Sequence, residues 1–464
     1  MKYISTRGGI APISFTDAVM MGLGSDGGLL LPEVIPDISD KLADWRTLSY
    51  SELANAIIAQ FVGDDIAEDD LQGLITKSYS TFSHQDVVPI VPVNDMYIME
   101  LFYGPTLAFK DIALQLLGNI FEYILERDNR KLNILGATSG DTGSAAIAGV
   151  RGKENINIFI LHPYKKVTPI QERQMTTVLD KNVFNIAIEG SFDDGQRIIK
   201  SLFSDLEFKE TYALGAVNSV NWARVAAQIV YYFYGAFRVS EMTGKAKVRV
   251  CVPTGNFGNI FAGYLAMKMG APISQLILAA NENDILAKFF QTGIYSQGKV
   301  KETYSPSMDI QIASNFERYL YYYLNEDSAK LCALMHDFIT TGSIEIPISI
   351  NHPIDLSIIA DNASNDETLT TIRSIYEDSG YLLDPHTAVG VSVCKKHAKN
   401  TDPTICLATA HPAKFGDVIK LALGCDVARH ESISQLHDLP VRCQILPATE
   451  DAVRSCIKKT VAGN

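Results

Sequence analysis

A lysine in an apolar setting is the first group in this sequence whose type and position could do chemistry. Lys110 ends the stretch Gly-Pro-Thr-Leu-Ala-Phe-Lys, which begins at Gly104, and stands at the start of a strongly amphipathic helical pattern. Partial burial and the positive end of a helix dipole both lower the pKa of an ammonium group, as a Schiff-base lysine requires. A surface lysine that extends its charged end into water fits the same pattern, so both interpretations stay open at this point.

The segment Thr138–Ser144 is rich in hydroxyl groups and glycine. It lies between a predicted strand and a helix predicted to begin near Thr142. Backbone amides and hydroxyls at a helix N-terminus suit a carboxylate or a phosphate. A plain N-capped turn needs only one Ser, Thr or Asp, so the surplus of such residues favours an anion site.

A second candidate anion site is the turn Pro253–Asn259. It lies between the predicted strand Val248–Val252 and a helix predicted over Ile260–Lys268. Its two glycines allow the backbone to approach a ligand closely, which predicts a phosphate cradle. A simple tight turn is the alternative, and the Gly-Lys-Ser/Thr ending of a Walker loop is missing.

Two further segments concentrate polar groups among apolar ones. In Asn218–Arg224 the arginine precedes a predicted helix of apolar residues, so it is a candidate phosphate clamp; a structural ion pair is the alternative. The other segment, Thr409–Phe415, follows the predicted strand Thr404–Ala408 and contains His411. A histidine in such a place is by itself more often a packed or capping residue than a catalyst.

Several other chemistries are disfavoured by the sequence. The stretch Gly22–Gly27 matches G-x-G-x-x-G, but it follows a helical pattern instead of a strand, which predicts a turn and no dinucleotide site. The nine histidines show no metal-ligand spacing, so no metal ion is expected, and no G-x-S-x-G elbow is present. A net charge of −13 offers no basic surface to nucleic acid or to an anionic membrane, and no stretch is apolar enough to span a membrane. The seven cysteines are scattered without ligand spacing, which favours reduced thiols and a cytoplasmic location.

The elements that must position these segments alternate between strands and helices, which is typical of an α/β protein. A chain of 464 residues exceeds the usual size of one domain. We expect a mostly helical N-terminal domain over 1–95, a large α/β domain over 96–128 and 216–464, and a small mobile α/β domain over 129–215. The predicted strands of the two α/β domains are Lys131–Leu135, Ile156–Leu161, Val183–Ile188, Val248–Val252, Gln275–Ala279 and Thr404–Ala408.

Taken together, these motifs resemble the threonine synthase family of pyridoxal-phosphate enzymes, and the resemblance spans nearly the whole chain. The motifs occur in the order expected for that family: Tyr3–Gly8, Gly27–Pro32, Phe109–Asp111, Thr138–Ser144, Asn218–Arg224, Gly255–Asn259 and Thr409–Phe415. The resemblance implies fold type II, with two α/β domains built on open twisted sheets flanked by helices and a mostly helical N-terminal domain. It also implies that pyridoxal 5'-phosphate is the cofactor.

The resemblance assigns roles to individual residues. It makes Lys110 the covalent carrier of the cofactor and the proton-transferring base, while Thr409 bonds to the pyridine nitrogen. Asp141 stands where many relatives have an Asn that contacts the phenolic oxygen of the cofactor. The remaining implied contacts are Gly255, Asn256, Phe257, Gly258 and Asn259 to the cofactor phosphate, Thr138, Ser139 and Thr142 to the carboxylate and phosphate of the substrate, and Asn218, Ser219 and Arg224 to the substrate phosphate.

The implied reaction eliminates phosphate from the γ-carbon of O-phospho-L-homoserine and adds water at the β-carbon, giving L-threonine. We expect the protein to be a monomer or a homodimer that binds neither nucleic acid nor membrane. A serine or threonine dehydratase is the main alternative, since it uses the same fold and lysine but needs no second anion site. A non-catalytic homologue that binds pyridoxal phosphate is a further alternative, although the lysine and its loop are both intact.

Overall fold

The computed structural model describes residues 1–138, 140–347, 354–398 and 401–463. The strands in these ranges are β1 Tyr3–Ser5, β2 Leu30–Pro32, β3 Ile90–Val93, β4 Met96–Glu100, β5 Leu132–Ala137, β6 Ile156–Pro163, β7 Val183–Glu189, β8 Leu214–Gly215, β9 Val248–Pro253, β10 Ile273–Ala280, β11 Ile294–Ser296, β12 Ser343–Glu345, β13 Ile358–Asn362, β14 Thr404–Ala408 and β15 Gln444–Pro447. The α-helices are α1 Phe15–Met21, α2 Leu42–Trp45, α3 Tyr50–Val62, α4 Glu68–Tyr79, α5 Lys110–Arg127, α6 Asp141–Val150, α7 Pro169–Thr176, α8 Phe192–Ser204, α9 Leu206–Thr211, α10 Trp222–Thr243, α11 Gly258–Lys268, α12 Ile285–Thr292, α13 Phe316–Tyr323, α14 Ser328–Thr341, α15 Asn365–Ser379, α16 Pro385–Lys396, α17 Gly416–Leu423, α18 Glu431–Gln435 and α19 Glu450–Gly463.

The larger sheet has the strand order β13-β10-β9-β14-β4-β3. Its strands are parallel except for β3, which runs antiparallel to β4 at one edge. Parallel strands are covered on both faces, which explains the continuous apolar runs that predicted β9, β10 and β14. The carboxyl ends of β4, β9 and β14 therefore meet at one edge, and the segments that follow these strands are those singled out in the sequence.

The smaller sheet has the order β15-β7-β6-β5-β8 and is parallel throughout. Strands β5, β6 and β7 confirm the three predictions between residues 131 and 188. Strand β15 differs from the expected division, because it lies in the range assigned to the large unit and pairs with β7 instead. Ile457 of α19 is also buried in the core of the smaller sheet. An unpaired edge at β7 would expose a row of backbone donors and acceptors, and the C-terminal segment covers it.

The N-terminal segment is mostly helical, as expected, but its helices share one core with the large unit. Trp222 of α10 is fully buried, and its ring packs against those of Tyr3 and Phe61. Arg318 is buried beside them and donates to the backbone oxygens of Leu30 at 2.8 Å and Val220 at 2.6 Å. Apolar spacing along a helix shows that one face is buried, but it does not show which partner covers that face.

Helices α5 and α6 pack with their backbones in contact. A Cβ atom on Gly118 would lie 2.0 Å from the backbone oxygen of Gly149, and one on Gly149 would lie 2.4 Å from that of Leu114. Gly118 and Gly149 each stand eight residues after the first residue of their helix. The first residues of the two helices also lie close together, with Lys110 Nζ 3.6 Å from Asp141 Oδ2.

In the part of the chain that the structure describes, no helix is both long enough and apolar enough to cross a bilayer.

The close crossing of α5 and α6 leads to a stability prediction. Gly149→Ala should lower the free energy of unfolding by about 1–3 kcal/mol, because the added methyl group forces two backbones apart in a packed core. The control is Gly73→Ala in α4, where a Cβ meets no atom within 4 Å, so the change should be neutral or stabilising. Denaturant unfolding of both variants measures the difference, and equal stabilities would contradict the packing described here.

Candidate active site

Lys110 is the first residue of α5 and its side chain is almost completely buried. Burial lowers the pKa of Lys110; the carboxylate of Asp141 opposes this shift, while the charges of Lys414 and Arg224 add to it. The turn before the lysine is held by Asp111, whose two carboxylate oxygens accept from the Thr106 amide at 2.8 Å and the Thr106 hydroxyl at 2.7 Å. Asp111 therefore fixes the turn that orients the side chain of Lys110.

Asp141 binds two buried lysines with its two carboxylate oxygens. Its Oδ2 lies 3.6 Å from Lys110 Nζ, and its Oδ1 lies 3.0 Å from Lys414 Nζ. Gln171 Nε2 donates to Oδ1 at 2.9 Å, and Ser307 Oγ donates to Oδ2 at 3.3 Å. Burial would raise the pKa of Asp141, but the charges of Lys414 and Lys110 hold it well below its usual range. Asp141 is therefore a carboxylate that can only accept hydrogen bonds.

The turn between β9 and α11 has the geometry of a cradle at a helix N-terminus. A Cβ atom on Gly255 would lie 2.8 Å from the backbone oxygen of Ser307, so this position requires glycine. The left-handed backbone conformation falls on Phe257, with φ of 63°, and not on a glycine. Asn259 accepts from the hydroxyl of Tyr232 at 2.8 Å, while its Nδ2 is buried without a partner. Free amides at the start of α11 and this unpaired donor suit an anion.

Arg224 lies in the first turn of α10 and is 4% exposed. Its Nη1 donates to the backbone oxygen of Val217 at 3.3 Å, its Nε has no partner, and no carboxylate among the described residues lies within ion-pair distance of it. Burial lowers the pKa of Arg224 to about 10. One turn later, Gln228 Oε1 is also buried without a partner. A buried guanidinium with unused donors is suited to bind an anionic ligand.

These groups line one cavity. It lies between the two α/β units, because Asp141 and Thr142 belong to α6 and most of the other lining groups belong to the large unit. The predicted site residues that line it are Lys110, Asp141, Thr142, Ser219, Arg224, Gly255, Asn256, Phe257, Gly258, Asn259 and Thr409.

Of the predicted substrate contacts that the structure describes, Thr138 and Asn218 are not among the groups lining the cavity. Thr138 closes its own turn, since its hydroxyl accepts from the amides of Gly140 at 3.0 Å and Gly143 at 2.9 Å. Asn218 is exposed. Ser139 lies outside the described residues.

Some lining residues were not predicted from the sequence. His386 accepts from the Ser307 amide through Nε2 at 3.2 Å, while its Nδ1 pairs with Asp384 Oδ1 at 2.9 Å. His386 thus holds the Ser307 segment against Gly255. Lys414 does not line the cavity but reaches Asp141 from behind it. The only signal in the sequence for Lys414 was a lysine within an otherwise apolar segment after a buried strand.

The atoms of the cavity fit pyridoxal phosphate, the cofactor that the resemblance implies. The cofactor carries an aldehyde, a pyridine ring and a phosphate, and the cavity offers a matching group for each. Lys110 supplies an amine with a lowered pKa, Thr409 a hydroxyl, and the Gly255–Asn259 turn a helix N-terminus with the unpaired amide of Asn259. The two alternatives left open for Lys110 are now distinguished, because the lysine faces a cavity and not the solvent.

Comparisons with known proteins show which family the chain resembles. The chain matches the family models described as threonine synthase N terminus over residues 2–79, pyridoxal-phosphate dependent enzyme over residues 88–346, and threonine synthase, C-terminal, over residues 387–457. It is 43% identical to the threonine synthase of Pseudomonas aeruginosa over 96% of both chains, and 45% identical to that of Saccharomyces cerevisiae over 91% of this chain and 89% of the yeast protein.

Solved structures give the same result. The crystal structure of the threonine synthase from Brucella melitensis with pyridoxal phosphate bound has a TM-score of 0.95 at 42% identity and covers 99% of both chains. The processed threonine deaminase isoform 2 of Solanum lycopersicum has a TM-score of 0.51 at 14% identity, which shows a shared fold and no more.

The Asp141 ion cluster leads to a prediction about pH. Lys414→Met removes a positive charge whose effect is to lower the pKa of Lys110, so the pKa of Lys110 should rise in the variant. Only the unprotonated amine can attack the aldehyde of the cofactor. The pH midpoint for the rate of cofactor uptake by the apoenzyme should therefore shift to higher pH, which stopped-flow absorbance can follow.

The matched control is Lys420→Met on the exposed face of α17, which should leave this midpoint in place. A Lys414→Met profile that coincided with wild type would show that Lys414 does not act on Lys110.

Proposed function

This chain belongs to the threonine synthase family, and on that premise we propose that its substrate is O-phospho-L-homoserine. The protein is a threonine synthase and a pyridoxal-phosphate-dependent lyase. In the proposed reaction the γ-carbon loses phosphate and the β-carbon takes up water, so that L-threonine and phosphate are released. The observation that supports this substrate is that Arg224 is buried at the cavity with hydrogen-bond donors that have no partner in the described part of the chain.

The proposal requires two separate anion sites in one cavity. The turn Gly255–Asn259 at the start of α11 is the proposed site of the cofactor phosphate, because helix N-termini present free amides to anions. Arg224 at the start of α10, with Ser219, is the proposed site of the substrate phosphate. The Ser219 hydroxyl hydrogen-bonds the Ser314 hydroxyl at 2.8 Å, and both Ser219 and Arg224 line the cavity. A charge-assisted site of this kind stabilises the leaving phosphate as negative charge collects on it.

Lys110 Nζ is the proposed acceptor of the α-proton. Burial lowers the pKa of Lys110, which makes its neutral amine easier to form, and a neutral amine can act as a base. Asp141 Oδ2, 3.6 Å away, stabilises the ammonium form while Nζ holds the proton. The bound cofactor supplies the electron sink that makes the α-proton acidic. Lys414 is held by Asp141 and by the backbone oxygen of Thr106 at 2.7 Å, so its proposed role is to position Asp141.

The proposed contacts of the cofactor ring are Thr409 and Asp141. The backbone oxygen of Thr409 accepts from the Phe109 amide at 2.9 Å, which sets this threonine directly beside Lys110. A neutral hydroxyl at the pyridine nitrogen moderates the electron sink. Because Asp141 can only accept hydrogen bonds, its proposed partners are protonated groups, with Lys110 foremost. In this respect Asp141 differs from the Asn that many fold-type-II relatives have at this position, whose side-chain amide contacts the phenolic oxygen of the cofactor.

A dehydratase acting on serine or threonine is the competing activity within this fold. The substrate of a dehydratase has a carboxylate but no phosphate. Such a substrate gives no reason for Arg224, a buried cation without a carboxylate partner among the described residues, to line the cavity. Arg224 therefore favours a phosphorylated substrate. We also propose a cytoplasmic location, which the seven free cysteines support because reducing compartments keep thiols unpaired.

The covalent role of Lys110 can be tested directly. Lys110→Ala should abolish turnover while the fold persists, because the anchor and the base are lost together, and loss of a general base alone costs about 10²–10⁴-fold. After borohydride reduction of wild-type holoenzyme, peptide mass spectrometry should find the pyridoxyl group on Lys110. The exposed Lys165→Ala variant is the control and should keep full activity. A label on another lysine would overturn the assignment.

The substrate role of Arg224 has a separate test. Arg224→Ala should keep its cofactor and spectrum but lose roughly ten- to a hundred-fold in kcat/KM for O-phospho-L-homoserine, the value of one charge-assisted hydrogen bond. Part of the loss should fall on kcat, since charge concentrates on the phosphate only as the bond breaks. Lysine should rescue the activity incompletely because it lacks the planar fork of donors.

The control for this variant is slow deamination of serine, which carries no phosphate and should survive the substitution. If both reactions fell equally, Arg224 would have a structural role. If the wild type preferred serine, the dehydratase would be the correct function.

A further inference from the structure

A cluster of three buried thiols lies in the core of the large unit, apart from the cavity. Cys251 of β9, Cys394 of α16 and Cys406 of β14 place their Sγ atoms all within 4.8 Å of one another. None of the three lines the active-site cavity. We propose that this thiol cluster is a binding site for one soft monovalent metal ion, Cu(I), held by three thiolates.

The spacing of the sulfur atoms suits trigonal coordination. With the sulfur–metal distance of about 2.3 Å that thiolate sites show, three sulfurs around one ion lie about 4.0 Å apart. Side-chain adjustments of less than an ångström separate this arrangement from the observed one. The absence of a side chain at Gly390 leaves space for the sulfur of Cys406, because a Cβ atom at residue 390 would lie only 2.8 Å from Cys406 Sγ. The Cys251 thiol donates to the Gly390 backbone oxygen at 3.3 Å, which leaves its sulfur lone pairs free.

A buried arginine next to the cluster supplies compensating charge. Arg249 is 1% exposed, donates to the His397 backbone oxygen at 2.9 Å and leaves its Nε without a partner. Among the described residues, Arg249 forms no ion pair with a carboxylate. A buried guanidinium is stabilised by a nearby anion, which the thiolates of the cluster would supply. The positive charge of Arg249 acts on Cys394.

The donor set selects the ion. Soft thiolate ligands favour Cu(I), whereas structural zinc takes four ligands. Within the described ranges, no fourth cysteine, histidine or carboxylate joins the group, and all three members are buried from water. On binding, three sulfur–copper bonds form, the three thiols release their protons to solvent, and copper stays in the +1 state. The affinity therefore rises with pH.

The test is an anaerobic titration of holoenzyme with Cu(I) in competition with bathocuproine disulfonate. The protein carries Cys332→Ser, Cys425→Ser and Cys443→Ser, which removes the thiols that are exposed or partly exposed and keeps the cluster. We expect one equivalent to bind and X-ray absorption to show three sulfur neighbours at about 2.3 Å. Absence of binding, or a copper ion with only two sulfur neighbours, would overturn the proposal. Because this protein has no substitution in the core, such a result could not be due to a disrupted fold.

Variants of the cluster itself add a second, independent readout. On the same background, Cys394→Ser and Cys406→Ser should each lose the bound equivalent while the cofactor absorbance shows that the fold persists. Arg249→Gln should weaken binding about 10–100-fold, as loss of a group beside the ligands does. Zn(II) binding with equal stoichiometry, or copper binding that survives Cys394→Ser, would also contradict the assignment.

Discussion

The buried carboxylate of Asp141 between two lysines is the interaction on which the site depends. An unpaired charge in such a place would be strongly destabilising, and breaking a buried pair costs about 3–5 kcal/mol. Lys110 and Lys414 share this one carboxylate, at 3.6 Å and 3.0 Å. Both lysines belong to the large unit and Asp141 belongs to the small unit, so these contacts position the amine of Lys110 and link the two units.

Backbone packing makes this ion cluster possible. The glycines at 118 and 149 let α5 and α6 approach until a methyl group no longer fits, and Lys110 and Asp141 are the first residues of these two helices. The parallel strands complete the arrangement, because the carboxyl ends of β4, β9 and β14 lead into Lys110, the Gly255 turn and Thr409 in turn. The same central strands carry Cys251 and Cys406 in the core behind these loops. One sheet thus supports the cofactor cavity on one edge and a cluster of thiols in its interior.

Arg224 shows how burial turns a common side chain into a specific one. Burial lowers its pKa to about 10, which still leaves it charged at neutral pH. Its Nη1 has a backbone partner and its Nε has none, so the guanidinium is held in place while donors remain for a ligand. The Gly255 turn differs, because it offers backbone amides. In the proposed function, this charged side chain and this helix N-terminus each recognise one of two phosphates.

The sequence alone determined the local features of this protein. Strands such as β6 and β9 were predictable because strands buried on both faces need continuous apolar runs, and the start of α5 at Lys110 followed from helical periodicity. The family resemblance rested on short motifs, each of which is a run of consecutive residues. Such features depend on residues that are neighbours in the chain.

The tertiary structure decided what distant segments do together. Pairing of β15 with β7, the reach of Lys414 to Asp141, and the contact of His386 with Ser307 each join segments far apart in sequence, and no periodicity encodes the partner. Thr138 shows the converse, because its hydroxyl could serve a ligand or its own turn, and in the fold it closes its turn. The residue type specifies which contacts a side chain can make, whereas the position of the surrounding backbone decides which of them it makes.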